Sequence, residues 1–134
     1  MVVEERRRRE FRGRADQVGA ARRFVSAALN LGSPLRDVTR LLVSEAVTNA
    51  VLHSASGEAG GQFTVEYQLD DRRLRVEVSD NGGPGGPRRR VHHIESITGR
   101  GLELFDALSD RWGVDGGPGG RTVWFELDLA GAHR

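Results

Sequence analysis

The chain has 134 residues, no cysteine and a formal net charge of +1 at pH 7. This length is typical of one domain, which buries roughly two-thirds of the surface of its unfolded chain. The lack of cysteine excludes disulfide bonds, thiol catalysis and thiolate metal sites. A charge this close to zero argues against a protein that binds nucleic acid through bulk electrostatic attraction.

No apolar stretch approaches the roughly 20 residues that cross a membrane. Residues 1–6 also lack the apolar core of a signal peptide. We therefore expect a cytoplasmic protein that has no membrane partner.

Four consecutive arginines at positions 6 to 9 lead into Phe11 and predict an edge strand. No aromatic residues are interleaved with them, so a solvated charge run is a better interpretation than a nucleic-acid site.

Two helices are predicted next. The first begins at Asp16, the expected N-cap, and continues towards Gly32. Its apolar residues recur at helical spacing: Val18, Ala21, Phe24, Val25, Ala28 and Leu29. Ser33 and Pro34 then begin the second helix, because serine is a good cap and proline fits the first helical turn.

Two polar residues interrupt the apolar face predicted for the second helix. At about 100° per residue, Glu45 and Asn49 share an arc with Val38, Leu41, Leu42 and Leu52. Burying an unpaired carboxylate costs roughly several kcal/mol, so a polar group should meet it. A structural pair with backbone or an arginine explains this placement as well as a functional site does.

Strict alternation of apolar and polar residues predicts a hairpin. Its strands carry Phe63, Val65, Tyr67 and Leu69, then Leu74, Val76 and Val78, with Asp70 and Asp71 at the turn. Asp80 continues the inward parity of the second strand, so its carboxylate should point towards the core. A glycine-rich segment follows at once, where backbone can approach a ligand closely. An aspartate before such a segment is also a common turn residue.

Residues 82–99 are rich in glycine, proline and arginine and predict a mobile loop. Loops longer than about 15 residues in a compact domain are usually lids, binding loops or disordered segments. His92 and His93 lie within it, and adjacent histidines without further ligands are more often a solvated pair than a metal site.

The loop ends at the sequence Thr98-Gly99-Arg100-Gly101-Leu102, which predicts the start of a short helix with Leu102, Phe105 and Leu108 facing inward. Glycine at a helix start lets backbone N–H groups face an anion. By itself a Gly-x-Gly motif is weak, because the chain has 18 glycines.

Two strands, Arg111–Asp115 and Arg121–Leu129, are predicted to complete the chain, joined by a glycine-rich turn. Trp124 has the opposite parity to Val123 and Phe125, so it should lie on the other face of the sheet.

The order of these motifs resembles the Bergerat-fold ATP-binding superfamily of gyrase, heat-shock chaperones and histidine kinases. The motifs are a helix with Glu-x-x-x-Asn, a hairpin ending in Asp-x-Gly, a lid, Gly-x-Gly at a helix start, and a Gly-Arg-Thr strand. The single-domain form and the sequence of residues 99–113 resemble the anti-sigma-factor serine kinases, in particular the histidine-kinase-like ATP-binding proteins of actinomycetes. The resemblance covers about residues 11–129.

The resemblance implies a role for each polar residue. It implies that Asn49 ligates Mg²⁺ and that Glu45 orients or deprotonates a serine hydroxyl of a partner protein. It also implies that Asp80 accepts a hydrogen bond from the adenine amino group. The remaining implied nucleotide contacts are Gly82 and Thr122 near the base, and Gly99, Arg100, Gly101 and Leu102 near the phosphates.

The chain departs from the family pattern at Pro84, where the family often has a second glycine, and in its basic lid. Proline reduces local backbone flexibility. These departures leave adenine binding better supported than phosphoryl transfer.

We therefore predict one domain over residues 1–134, an α/β two-layer sandwich with a mixed, largely antiparallel sheet and three helices on one face. The predicted function is ATP- and Mg²⁺-dependent serine kinase activity on an anti-anti-sigma partner, coupled to sequestration of a sigma factor. No direct contact with nucleic acid is expected, and a homodimer is compatible with this function.

One alternative is a nucleotide-dependent binding module without phosphoryl transfer. Another is a vestigial pocket, with the sheet face around Trp124 binding a partner.

Overall fold

A computed structural model describes residues 4–30, 32–53, 61–80, 100–117 and 120–129 of the chain. The predicted lid, with His92 and His93, lies outside the described residues, as do Gly82 and Gly99.

Five strands and three helices make up the described part of the chain. In chain order they are β1 Glu5–Arg12, α1 Val18–Ser26, α2 Leu35–His53, β2 Gln62–Leu69, β3 Arg73–Asp80, α3 Arg100–Leu108, β4 Arg111–Gly117 and β5 Gly120–Asp128. A single 3-10 turn, Ala15–Gln17, precedes α1.

The strands form one sheet in the order β1-β2-β3-β5-β4. Each of these neighbouring pairs is antiparallel. The helices lie on one face, where α2 packs on β2 and β3, and α3 packs on β4. We refer to this face as the inner face and to the opposite one as the outer face. The predicted two-layer sandwich is confirmed.

The β2–β3 hairpin forms as predicted. Asp70 closes it, because its Oδ1 accepts hydrogen bonds from the backbone N–H groups of Arg72 at 2.8 Å and Arg73 at 2.9 Å. The inward parity of β3 is also confirmed, since Leu74, Val76, Val78 and Asp80 are all buried.

The start of α1 differs from the prediction that Asp16 is its N-cap. The chain enters α1 through the 3-10 turn, so Asp16 lies one residue inside that turn. Its carboxylate accepts a hydrogen bond from Arg14 Nη2 at 2.7 Å and caps no helix N–H. Ser33 does cap α2 as predicted, because its Oγ accepts a hydrogen bond from the Leu35 N–H at 3.2 Å.

The helix α2 presents a different face to the core from the one predicted. Its buried apolar residues are Leu42, Val43, Ala46, Val47, Ala50 and Val51. At about 100° per residue, these buried residues are centred on the side of the helix opposite to Leu41. Leu41 itself is 45% exposed. Glu45 and Asn49 therefore lie at one border of the buried face, where a polar group can meet both the core and a ligand.

Aromatic side chains pack together at both edges of the sheet. At one end, the Phe11 ring of β1 stacks on the Phe63 ring of β2, with 5.2 Å between the ring centroids. At the other end, the Phe105 ring of α3 lies 5.6 Å from Trp112 and 6.0 Å from Phe125. These contacts hold the edge strands and α3 against the central strands.

A carboxylate on the outer face, Glu126, is buried among arginines. Its Oε1 accepts a hydrogen bond from Arg111 Nε at 2.6 Å, and its Oε2 accepts one from Arg75 Nη1 at 2.9 Å. Arg73 adds an ion pair at 3.7 Å. Burial alone would raise the pKa of Glu126, but the hydrogen bonds from Arg111 and Arg75 outweigh burial and lower the pKa.

In the described ranges, no helix combines the length and the apolar character that crossing a membrane requires.

We predict that Glu126→Gln lowers the free energy of unfolding by about 1–2 kcal/mol at neutral pH, after discounting for solvent screening. The folded-state pKa of Glu126 is depressed, so its stabilisation is present above the unfolded value of about 4.3 and is lost as the pH falls through the folded value. Urea unfolding at several pH values should show the difference between parent and variant shrinking below about pH 4.3.

The control is Glu77→Gln on the same face, where a 33% exposed side chain pairs with Arg75 at 2.9 Å. We expect this exposed pair to contribute under about 1 kcal/mol. An equal loss in both variants, or a difference for Glu126→Gln that does not shrink in acid, would contradict the prediction.

Candidate functional site

Two opposite charges lie side by side at one end of the inner face. Asp80 is the last residue of β3 and faces Arg121 of β5 in the antiparallel register. The side chains are 1% and 7% exposed, and Arg121 Nε lies 4.0 Å from Asp80 Oδ2. A buried carboxylate is unfavourable without a countercharge, and the register of β3 against β5 supplies one.

The sequence interpretation missed Arg121, although its parity gives the necessary signal. Arg121 continues the inner-face row that Val123, Phe125 and Leu127 form along β5, as Asp80 continues the row along β3. Two neighbouring apolar rows thus end in opposite charges at the same end of the sheet.

Thr122 does not lie beside Asp80. Its register partner on β3 is Ser79, and the two hydroxyl oxygens are 2.8 Å apart. Successive side chains of a strand point to opposite faces, so Thr122 lies on the outer face while Asp80 lies on the inner face. This placement differs from the expectation that Thr122 contacts the base.

Backbone packs closely around Asp80. A Cβ atom added to Gly120 would lie 2.5 Å from the Asp80 carbonyl oxygen, and Gly120 has a φ of +153°. Both the contact distance and the backbone conformation require glycine at this position. The start of β5 therefore approaches the end of β3 more closely than any other residue type allows.

The helix α2 brings Glu45 and Asn49 to the same inner face, one turn apart. Asn49 is 5% exposed and Glu45 is half-buried. Within the described ranges, Asn49 Nδ2 is buried and has no hydrogen-bond partner. No described residue therefore holds the amide nitrogen, which fits a side chain that meets a ligand.

The first turn of α3 contains Arg100, Gly101 and Leu102. Backbone N–H groups in the first turn of a helix have no intrahelical partner, and the helix dipole favours negative charge there. This end of α3 is therefore suited to an anion, and phosphate binding there stays a prediction.

The sequence profile of the histidine kinase-like ATPase domain matches residues 11–127. Because this match covers most of the chain, the protein belongs to the histidine kinase-like ATPase domain family. The predicted resemblance to this ATP-binding superfamily is confirmed, and use of ATP is a property of the family.

Several relatives carry the name serine-protein kinase RsbW. The protein of that name from Listeria innocua is 51% identical over 82 residues, which cover 53% of this chain and 52% of the relative. The one from Bacillus velezensis is 30% identical over 118 residues, which cover 78% of this chain and 74% of the relative. The chain thus spans about half the length of the Listeria relative. The actinomycete type stays a prediction.

We predict that Gly120→Ala destabilises the fold by about 1–3 kcal/mol, because the added Cβ forces β5 away from the Asp80 carbonyl or strains the backbone. The matched control is Gly32→Ala, since a Cβ there would meet nothing within 4 Å. Urea unfolding of both variants measures the difference. Equal stability of the two variants would mean that the close approach of β3 and β5 carries no constraint.

Proposed function

We propose that this protein binds ATP together with Mg²⁺ and transfers phosphate to a serine of an anti-anti-sigma-type partner. The observation that carries the proposal is the placement of Asp80, Glu45 and Asn49 described above. A buried carboxylate ends β3, and α2, which packs on that strand, carries Glu45 and Asn49.

Asp80 suits recognition of an adenine base. An ionised carboxylate only accepts hydrogen bonds, and the amino group of adenine donates them. The side chain is almost completely buried, so a base that reaches it leaves water behind. Hydrogen bonds to charged groups in such surroundings are stronger than those at the surface.

Asn49 is the residue that would hold the metal ion. Magnesium prefers oxygen ligands and usually combines one or two protein oxygens with phosphate and water oxygens. The side-chain nitrogen of Asn49 has no partner among the described residues, so the amide can turn its oxygen towards an ion. When bound, the ion would neutralise charge on the phosphates.

Glu45 is the residue that would orient or deprotonate the serine hydroxyl. It is half-buried, one helical turn before Asn49, and no described residue forms an ion pair with it. Its carboxylate is therefore able to accept a proton from a hydroxyl group beside the nucleotide.

The first turn of α3 would receive the phosphates, with Arg100 as a candidate for direct pairing. We extend the proposal to Gly82 and Gly99 from the family resemblance. The same resemblance suggests sequestration of a sigma factor in the cytoplasm as the wider function, with a homodimer as one arrangement.

We predict that ADP or ATP with Mg²⁺ raises the melting temperature of the parent by several degrees. Ligand at about 100 times its dissociation constant adds roughly 2.7 kcal/mol of stability. Asp80→Asn keeps the side-chain size but weakens base recognition, so the ligand-induced shift should largely disappear. Differential scanning fluorimetry with and without nucleotide measures both proteins.

The control is Asp115→Asn on β4, which removes an exposed carboxylate and should keep the full shift. If the parent shows neither a shift at millimolar nucleotide nor heat in titration calorimetry, nucleotide binding is refuted.

We predict that Glu45→Gln lowers phosphoryl transfer by roughly 10²–10⁴-fold while nucleotide affinity changes little, because only the proton acceptor is removed. Asn49→Ala should instead weaken binding of the Mg²⁺ complex. The assay follows radiolabelled phosphate into a serine-containing anti-anti-sigma-type protein, beside a separate measurement of ADP affinity.

Asp37→Asn is the control for Glu45→Gln, because it replaces an exposed carboxylate in the first turn of the same helix. Transfer at the parental rate by Glu45→Gln would remove Glu45 from this role. A parent that binds nucleotide but phosphorylates no such partner would instead be a nucleotide-dependent binding module.

A further inference from the structure

The strand β1 forms one edge of the sheet, and no described strand pairs with the side of β1 that points away from β2. We call this side the free edge. The eight residues of β1 include five arginines and two glutamates, so the strand carries a formal net charge of +3, and six of the eight residues are exposed. An unpaired strand edge is a template for another extended chain, and here the charge selects which chain can bind.

The backbone groups of alternate β1 residues point to the free edge. The Gly13 N–H donates to the Gly61 carbonyl at 3.0 Å, at the position that continues the β1–β2 register. In an antiparallel pair, residues that bond to the partner strand alternate with residues whose N–H and C=O groups point away from it. The N–H and C=O groups of Arg6, Arg8 and Glu10 therefore point to the free edge, where no described residue bonds to them.

The arginine run places positive charge on both faces of the strand. Side chains alternate along a strand, so Arg6 and Arg8 lie on the outer face. Arg7 and Arg9 have the parity of the buried Phe11 and lie on the opposite face. All four arginines are exposed, so neither face of the run is covered by the described protein.

The charge of this run is only partly neutralised within the described protein. Arg6 Nε lies 3.3 Å from Glu66 Oε2, and Arg7 Nε lies 3.2 Å from Glu5 Oε2. These two arginine side chains are 63% and 64% exposed, so solvent screens both ion pairs and they can rearrange around a ligand. Arg8 forms no ion pair with a described residue. The run therefore keeps positive charge that a ligand can neutralise.

We propose that the free edge of β1 binds an extended acidic segment of a partner protein as an additional strand. The backbone of the segment pairs with Arg6, Arg8 and Glu10, and its carboxylates meet the neighbouring arginines. This interaction is separate from the proposed nucleotide site, because β2 lies between β1 and the strand that carries Asp80.

The arginine run also defines the pattern of acidic residues in the partner. Opposite charges that face each other across neighbouring strands stabilise the pairing. Acidic residues at alternate positions would meet the arginines on one face only, because side chains alternate in the added strand too. Consecutive acidic residues meet the arginines on both faces. The free edge therefore recognises an extended segment with about four consecutive aspartates or glutamates.

Two other occupants fit the free edge less well. A second copy of β1 would bring two arginine runs together, and like charges on neighbouring strands are unfavourable. A nucleic acid would meet the arginines, but its backbone cannot continue the hydrogen bonding of a sheet. Residues 6–10 also contain no aromatic side chain on which bases could stack.

The test measures binding of a fluorescent peptide, Thr-Val-Asp-Glu-Asp-Glu-Val-Thr with blocked ends, to the full chain by fluorescence anisotropy. The control peptide has the same sequence with N-methyl groups at alternate residues, so it keeps the charge but cannot pair as a strand. We expect the control peptide to bind at least about tenfold more weakly, because several backbone hydrogen bonds are lost. Amide exchange of the parent, followed by NMR, should slow at Arg6, Arg8 and Glu10 when the unmethylated peptide binds.

Two variants at one position separate charge from backbone pairing. Arg8→Gln should weaken binding about two- to fivefold, the effect of one cross-strand charge pair. Arg8→Pro keeps the pairing with β2, because the Arg8 N–H points to the free edge, but it removes a donor from the added ladder. It should weaken binding by about tenfold or more. The control is Arg72→Gln, which removes an exposed arginine from the β2–β3 turn and should leave the affinity unchanged.

Three results would overturn the inference. No binding of the peptide to the parent at millimolar concentration would mean that the arginines only prevent strands from pairing at this edge. Equal affinity for the N-methylated peptide would reduce the interaction to charge attraction. Binding without slower exchange at Arg6, Arg8 and Glu10 would place the peptide elsewhere. Should Arg8→Pro fail to fold, the two peptides and the exchange measurement on the parent decide.

Discussion

The antiparallel register of β3 against β5 is the constraint on which the candidate site depends. It sets Asp80 opposite Arg121, so that a carboxylate can be buried at the end of an apolar row. A shift of one residue would move Arg121 to the outer face and bring Thr122 inward, since side chains alternate along a strand. The buried carboxylate would then lie beside a hydroxyl group instead of a charge. Gly120 supports this register through its close approach to the Asp80 carbonyl.

The inner and outer faces of the sheet place opposite charges together in different ways. On the inner face, Asp80 and Arg121 are both almost completely buried. On the outer face, Glu126 is shared by Arg75 and Arg111, whose side chains are 27% and 43% exposed. The loss of one partner is costly in a pair whose two side chains are both buried, whereas solvent screens a pair in which one side chain is partly exposed. The inner pair is therefore the more sensitive of the two to the loss of one side chain.

Several features of the fold could be predicted because they follow from local periodicity. The alternation along β3 predicted the inward carboxylate of Asp80, and the order of motifs predicted the two-layer architecture and the family. The prediction that Asp16 is an N-cap was wrong because its carboxylate has a competing partner in Arg14, two residues earlier in the chain. The prediction of the buried face of α2 was wrong because Leu41 is apolar yet points away from the sheet. Packing decides which apolar residues face the core, and periodicity alone cannot.

The candidate site was predictable only in part, for the same reason. Asn49 and Asp80 can be recognised in the sequence as polar residues within apolar patterns. Arg121 is also a polar residue within an apolar pattern, but the residue that it faces depends on which strand lies beside β5 and in which register. That information is non-local, and it places Thr122 on the outer face beside Ser79.

The dependence of β1 on a single buried side chain has a consequence for cooperativity. Of the residues of β1, Phe11 is buried, Glu5 is half-buried and the other six are exposed. The central strands each bury four or more side chains. Openings that release β1 alone cost less free energy than openings that separate β3 from β5. The edge of the sheet that β1 forms therefore opens more readily than the rest. The strands that carry Asp80 and Arg121 belong to the most stable part of the sheet.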